Sequence, residues 1–211
     1  MPAASARRPP GRRAHVAARR PRNGRAVRAR AQDDLLTSTA SAKAPVPVEA
    51  AYALWSDRRR IPKWMPWVTS VETFESDGAL SKWTVSTDTL PAPWDRPLGQ
   101  RLEYSWYALN DEPVEGDGFR TIAWVADAKA AAAAGTEANA RAALVTNRGK
   151  VVLRYESPTS CSVTLSVSYA APEALKPMGI ALGPVLETIL RDDLERFAVY
   201  AQKVVTVVDG A

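Results

Sequence analysis

Histidine and cysteine are almost missing from this chain of 211 residues, with His15 and Cys161 the single example of each. With its one imidazole so near the start, the rest of the sequence has none for general-base catalysis, a Ser-His-Asp relay or a histidine metal site. A lone thiol excludes an intrachain disulfide and any cysteine-rich zinc or iron-sulfur centre, and it fits a reducing compartment. No glycine-rich phosphate loop, metal-ligand spacing or nucleophile elbow occurs either, so no cofactor is expected. These absences remove much of the enzyme catalogue.

Acids are missing from the first 30 residues, which hold ten arginines between Arg7 and Arg30. The formal charge of the whole chain is +5, but without those arginines 18 bases face 23 acids and the remainder carries −5. The remainder therefore has no basic surplus for phosphates, and nucleic acid is not an expected partner. Residues 1–31 read as an organelle transit peptide: rich in Arg and Ala, and without the apolar run of a secretory signal or membrane span. Val27-Arg28-Ala29 resembles the cleavage context of green-algal plastid leaders, which makes the chloroplast the expected location and the mitochondrion the alternative.

Residues 32–208 have the length of one domain. Gln32 to Ala44 offers a first strand, stopped by Pro45-Val46-Pro47. Val48, Ala51, Tyr52 and Trp55 then recur at helical spacing. Ser56-Asp57 ends that helix and can cap a second short one from Arg58 to Met65, broken around Pro62. From Val68 the period changes to two. Val68–Glu75, Leu80–Thr87, Arg101–Leu109, Phe119–Ala126, Lys150–Glu156 and Cys161–Tyr169 read as strands between turn signals. In the last, Val163, Leu165, Val167 and Tyr169 alternate with Ser162, Thr164, Ser166 and Ser168, as a sheet with one buried face requires. By the same parity Trp83 and Val85 turn inward, as do Leu102, Tyr104 and Trp106, and Ile122 and Trp124. The Ala-rich stretch 127–147 reads as an exposed insertion, disordered or loosely helical. Leu186, Leu190, Leu194, Phe197, Ala201 and Val204 mark a long C-terminal helix beginning near Pro184, after an apolar hinge from Leu175 to Gly183.

A strand, two short helices, more strands and a long final helix is the order of an α+β helix-grip (START-like) fold. In it a curved antiparallel sheet of about seven strands wraps around the C-terminal helix. The run Val46-Pro47-Val48-Glu49, Leu54-Trp55-Ser56-Asp57, Ile61-Pro62-Lys63-Trp64-Met65-Pro66-Trp67-Val68 resembles the polyketide cyclase/dehydrase and coenzyme Q-binding START-like family, especially its cyanobacterial and plastid branch. Echoes follow in Leu80-Ser81-Lys82-Trp83, Asn147-Arg148-Gly149 and Asp193-Leu194-Glu195-Arg196-Phe197. The resemblance spans residues 36–205 and departs at the Ala-rich insertion. It implies a cavity between sheet and helix that binds, and by extension transports, a hydrophobic small molecule or lipid such as a prenylquinone. The same fold serves carriers and enzymes, so a small cyclase or dehydratase acting on an aromatic or polyketide-like substrate is the alternative.

Parity and the implied cavity nominate Trp83, Tyr104, Trp106 and Trp124 as lining residues, with Phe197 from the helix stripe. Arg148 is nominated as a cation whose guanidinium can hold a carbonyl, carboxylate or head group. Each has a plainer reading: core filling for the aromatics and a surface ion pair for Arg148. Trp64-Met65-Pro66-Trp67 is too bulky to be wholly buried behind two prolines. Trp64, Met65 and Trp67 are therefore expected at the pocket gate or as a wedge touching a membrane surface, opposite Met178 and Ile180 of the hinge. Asp192, Asp193 and Glu195 read as a solvated helix face, and Cys161 as a small core residue. A tagged chain lacking residues 1–30 is expected to lose its organelle location in fluorescence microscopy while binding ligand like the full chain; an unchanged location would remove the leader from the account.

Overall fold

Alternation decides most of the architecture. The computed structural model describes residues 35–90, 95, 101, 103–133, 147–170 and 179–209. The expected leader, Trp94, Leu102, most of the Ala-rich stretch and Met178 lie outside the described residues. The described strands are β1 (Leu36–Ala44), β2 (Val68–Phe74), β3 (Asp77–Ser86), β4 (Glu103–Asn110), β5 (Val114–Gly116), β6 (Phe119–Ala126), β7 (Asn147–Ser157) and β8 (Ser160–Tyr169). They form one antiparallel sheet in the order β1-β8-β7-β6-β4-β3-β2, with β5 added beside β6. Helix α1 (Val48–Ser56) and a 3₁₀ helix (Arg58–Lys63) follow β1, α2 (Ala128–Ala133) follows β6, and α3 (Gly179–Asp209) ends the described chain.

The helix-grip order stands, with three differences from expectation. Strand β5 is three residues long, too short to show a period. The start of the Ala-rich stretch is helical, one of its two expected forms, but it is not wholly exposed: Asp127 Oδ1 accepts from the backbone N–H groups of Lys129 and Ala130, and Ala130 packs on the outer face of the sheet beside Phe74, Leu80 and Tyr107. Helix α3 begins at Gly179 and runs through Pro184, instead of starting there. Proline lacks the N–H that would bond back to residue 180, so the first turn is held by one hydrogen bond fewer.

Helix α3 packs chiefly against β1. The reason lies in the inward positions of β1, Ser38, Ala40, Ala42 and Ala44, whose small side chains let the helix come close. Leu190, Leu194, Phe197 and Ala201 fill the contact and are fully buried. On the other face of the same strands, hydroxyls pair directly across the register: Thr37 with Ser168 at 2.8 Å, Thr39 with Ser166 at 2.9 Å and Ser41 with Thr164 at 2.9 Å. Those pairs bind the edge strand to its neighbour on the wet side.

Glycine has a specific task at one inward position. Trp124 of β6 lies opposite Gly149 of β7, and a Cβ at Gly149 would sit 1.9 Å from Trp124 Cζ2. The indole is therefore laid flat on the bare backbone. Gly149→Ala should lower the unfolding free energy in urea by about 1–3 kcal/mol through overpacking; an unchanged midpoint would show that Trp124 is free to move aside.

Candidate ligand-binding site

Period two on adjacent strands brings three of the expected indoles together on the inner face. Trp83 and Trp106 are direct cross-strand neighbours and stack at 5.9 Å with an interplanar angle of 18°. Trp124 stacks on Trp83 at 5.8 Å and 16°. Trp83 donates its Nε1–H to Ser81 Oγ at 3.0 Å, and Arg58 donates to the same oxygen at 3.1 Å. Trp106 Nε1 has no hydrogen-bond partner among the described residues. The three indoles keep 5%, 8% and 8% of their surface, whereas Phe197 keeps none.

That difference sorts the expected lining residues. Trp83, Trp106 and Trp124 are buried but keep a few per cent of their surface. Phe197 keeps none: it is enclosed by Trp55 at 5.3 Å and Trp64 at 5.1 Å and serves as core. Tyr104 is half-buried beside Val85, and burial raises its phenol above the usual range. Arg148 is exposed on the opposite face, across from Ser168 and Val125. It cannot line the inner face, because Gly149 under Trp124 is an inward position and its chain neighbour must point outward.

The antiparallel register places the C-terminal ends of β3 and β8 and the N-terminal ends of β4 and β7 at one end of the sheet. Two residues that sequence reasoning did not single out as a pair meet there. Asn147 and Tyr169 are cross-strand neighbours, and both Asn147 Oδ1 and the Tyr169 hydroxyl are buried without a hydrogen-bond partner among the described residues. Burial raises the Tyr169 phenol; Ser38 draws it the other way, approaching without reaching hydrogen-bond geometry, and directs its own hydroxyl to Gly183 O at 3.4 Å.

The expected gate is corrected for Trp64 and Met65. Trp64 and Met65 are buried in the core, because the 3₁₀ helix projects Ile61 and Trp64 on the same side three residues apart. Trp67 is half-buried, and its Nε1–H is held at 2.6 Å by Asp193 Oδ2. For Ile180 only the backbone, within the first turn of α3, is described.

Asp193 is the second correction. It is fully buried, although Asp192 and Glu195 are exposed as expected. The step from Leu190 to Asp193 to Phe197 keeps it on the buried stripe, which its polarity had disguised. Arg196 donates to Asp193 Oδ1 at 2.6 Å and to Trp64 O at 3.1 Å, so α3 grips the loop before β2 from both ends. Burial pushes the Asp193 carboxyl up to about 6, against the opposing pull of the Trp67 and Arg196 hydrogen bonds. Cys161 is buried as expected, and desolvation with Glu156 pushes its thiol up to about 11, which leaves it inert. A surface groove of about 280 Å³ between Ser56–Arg59 and Thr73–Gly78 includes none of the expected site residues. Its Arg58 is bound to the carbonyls of Gly78 and Ala79 and to Asn110, and so acts as a clip.

A sheet with an aromatic inner face and a long helix packed on one edge defines a START-like fold. The family described as polyketide cyclase / dehydrase and lipid transport matches residues 44–198, and the chain belongs to it. Similar solved structures include the Zhui aromatase/cyclase from Streptomyces sp. R1128, at 16% identity and TM-score 0.55, covering 81% of this chain and 96% of that one. A START superfamily protein from Mycobacterium smegmatis aligns at 10% identity and TM-score 0.53 over 80% of this chain and 98% of its own. A conserved protein from Geobacillus kaustophilus aligns at 11% identity and TM-score 0.53 over 80% and 96%. These likenesses show the fold. Among curated proteins none matches the chain.

Because the folded-state value for Asp193 lies above the ordinary 3.8, its protonation stabilises the fold below about pH 4, and that contribution is lost as pH rises through about 6. Urea unfolding of wild type and Asp193→Asn should therefore diverge in favour of wild type between pH 7 and pH 4. A pH-independent difference would mean that the carboxylate is fully compensated by Arg196 and Trp67.

Proposed function

We propose that this chain binds a hydrophobic small molecule or lipid on the inner face of the sheet, between it and helix α3, and carries it between membranes or proteins. The observation that supports the reading is the stack of Trp83, Trp106 and Trp124, which offers flat apolar surface while one indole N–H remains unpartnered. Apolar burial would supply most of the affinity, and a few polar atoms would set orientation. The family's description, which names both cyclase and lipid-transport members, is compatible with this. A prenylquinone in a plastid is the form of the reading that the sequence resemblance favours, with peripheral contact to a membrane during exchange.

Asp193, the one strongly shifted acid among the described residues, does not argue for catalysis, since both of its oxygens are engaged in holding the loop before β2. Organic extraction of the purified full chain followed by mass spectrometry should release one class of apolar compound in near-stoichiometric amount. Recovery of an empty protein whose tryptophan fluorescence ignores added quinones and lipids would overturn the reading, and turnover of an aromatic polyketide would replace it with the enzyme alternative.

A further inference from the structure

The buried polar atoms at the open ends of β7 and β8 specify more than apolarity. Among the described residues nothing donates to Asn147 Oδ1, which can only accept, and nothing accepts from the neighbouring Tyr169 hydroxyl, which can donate. Buried groups of this kind normally have partners, and each left unmet carries a desolvation penalty. The two other indole N–H groups without partners, on Trp55 and Trp64, lie in the cluster around Phe197. There the Trp55–Trp64 contact is edge-on at 5.3 Å, the arrangement in which ring edges meet ring faces. Asn147 has no such substitute.

Resting on the binding function proposed above, we infer that the site selects a neutral apolar ligand ending in a hydroxyl group, such as a phenol, hydroquinone or isoprenoid alcohol. A hydroxyl donates to Asn147 Oδ1 and accepts from the Tyr169 O–H with a single atom pair, satisfying both. A carbonyl or an ether can accept from Tyr169 but leaves Asn147 unmet. An anionic carboxylate or phosphate is disfavoured further, because it would set negative charge against Asn147 Oδ1 with no neighbouring cation among the described residues. Arg148 points outward, Arg120 lies at the far end of β6, Arg58 is bound to β3, three strands from β7, and Arg101 beside the start of β4 is paired with Asp88 and Glu103. Arg58 is held by backbone carbonyls, and Arg120 pairs with Glu49 at 2.7 Å. The indole stack receives the ring or chain, two inward positions from Asn147 through Gly149 and Trp124. Trp106 Nε1–H remains for a second oxygen farther along the ligand. In a quinone family this would favour the reduced, hydroxyl-bearing form over the oxidised one.

Three probes with one ring and one tail test this: a decyl hydroquinone, its quinone and its dimethyl ether, each measured against the full chain by equilibrium dialysis under argon. The hydroquinone should bind roughly tenfold tighter than the dimethyl ether, the worth of one buried hydrogen bond. Asn147→Leu should fold with undiminished stability, since it deletes an unmet acceptor, and should bind the hydroquinone and the ether alike. Tyr169→Phe removes a donor open to all three probes and should weaken them alike, roughly three- to tenfold; Asn147→Ala repeats the selectivity test if the Leu variant does not fold. Equal binding of all three probes to the wild type, or a hydroxyl preference that survives loss of the Asn147 amide, overturns the inference and leaves the binding function standing. If none of the probes binds, the binding function falls, and the inference with it.

Discussion

Trp124 lying flat on Gly149 is the contact on which the inner face depends. Were a side chain present at Gly149, the indole would have to rise from the sheet, and Trp83 could no longer stack on it while stacking on Trp106. One missing Cβ thus sets the plane of three rings drawn from three strands. Burying each ring stabilises the fold by about 1.5–3 kcal/mol on area grounds, so the stack belongs to the core as well as to the site. The few per cent of surface that its rings keep distinguish it from the aromatic cluster around Phe197, where the central ring has none left.

At the edge, opposite physics applies. Small inward residues on β1 seat helix α3 closely, and the hydroxyl pairs on the other face hold the edge strand to β8. Asp193 then ties the helix to the loop before β2 through Trp67, while Arg196 reaches Trp64 O. A buried carboxylate is an expensive way to join two elements, and its raised proton affinity measures how incompletely its partners offset burial.

Much of the fold was legible because period is insensitive to detail. The inward parity of Trp83, Trp106 and Trp124 followed from alternation alone, as did the stripe of Leu190, Leu194, Phe197 and Ala201. The site was less legible. Arg148 was judged by its chemistry before its parity; its place beside Gly149 in a strand turns it outward. Asp193 was judged by polarity, though its spacing from Leu190 and Phe197 puts it on the buried face. Trp64 and Met65 look too bulky to bury because a 3₁₀ turn and a hydrogen bond from the distant Arg196 leave no local sequence mark. Asn147 and Tyr169 became a pair only through the β7–β8 register, which joins residues remote in sequence.

The central claim is that ligand meets the inner-face indoles and not the enclosed cluster. The most direct measurement is the set of indole N–H resonances of the ¹⁵N-tryptophan-labelled full chain, assigned by substitution and followed as decyl hydroquinone is added. The account predicts large shifts for Trp106, Trp83 and Trp124, with Trp55 and Trp64 little changed. Shifts centred on Trp55 and Trp64, with the Trp83 stack unmoved, would contradict it.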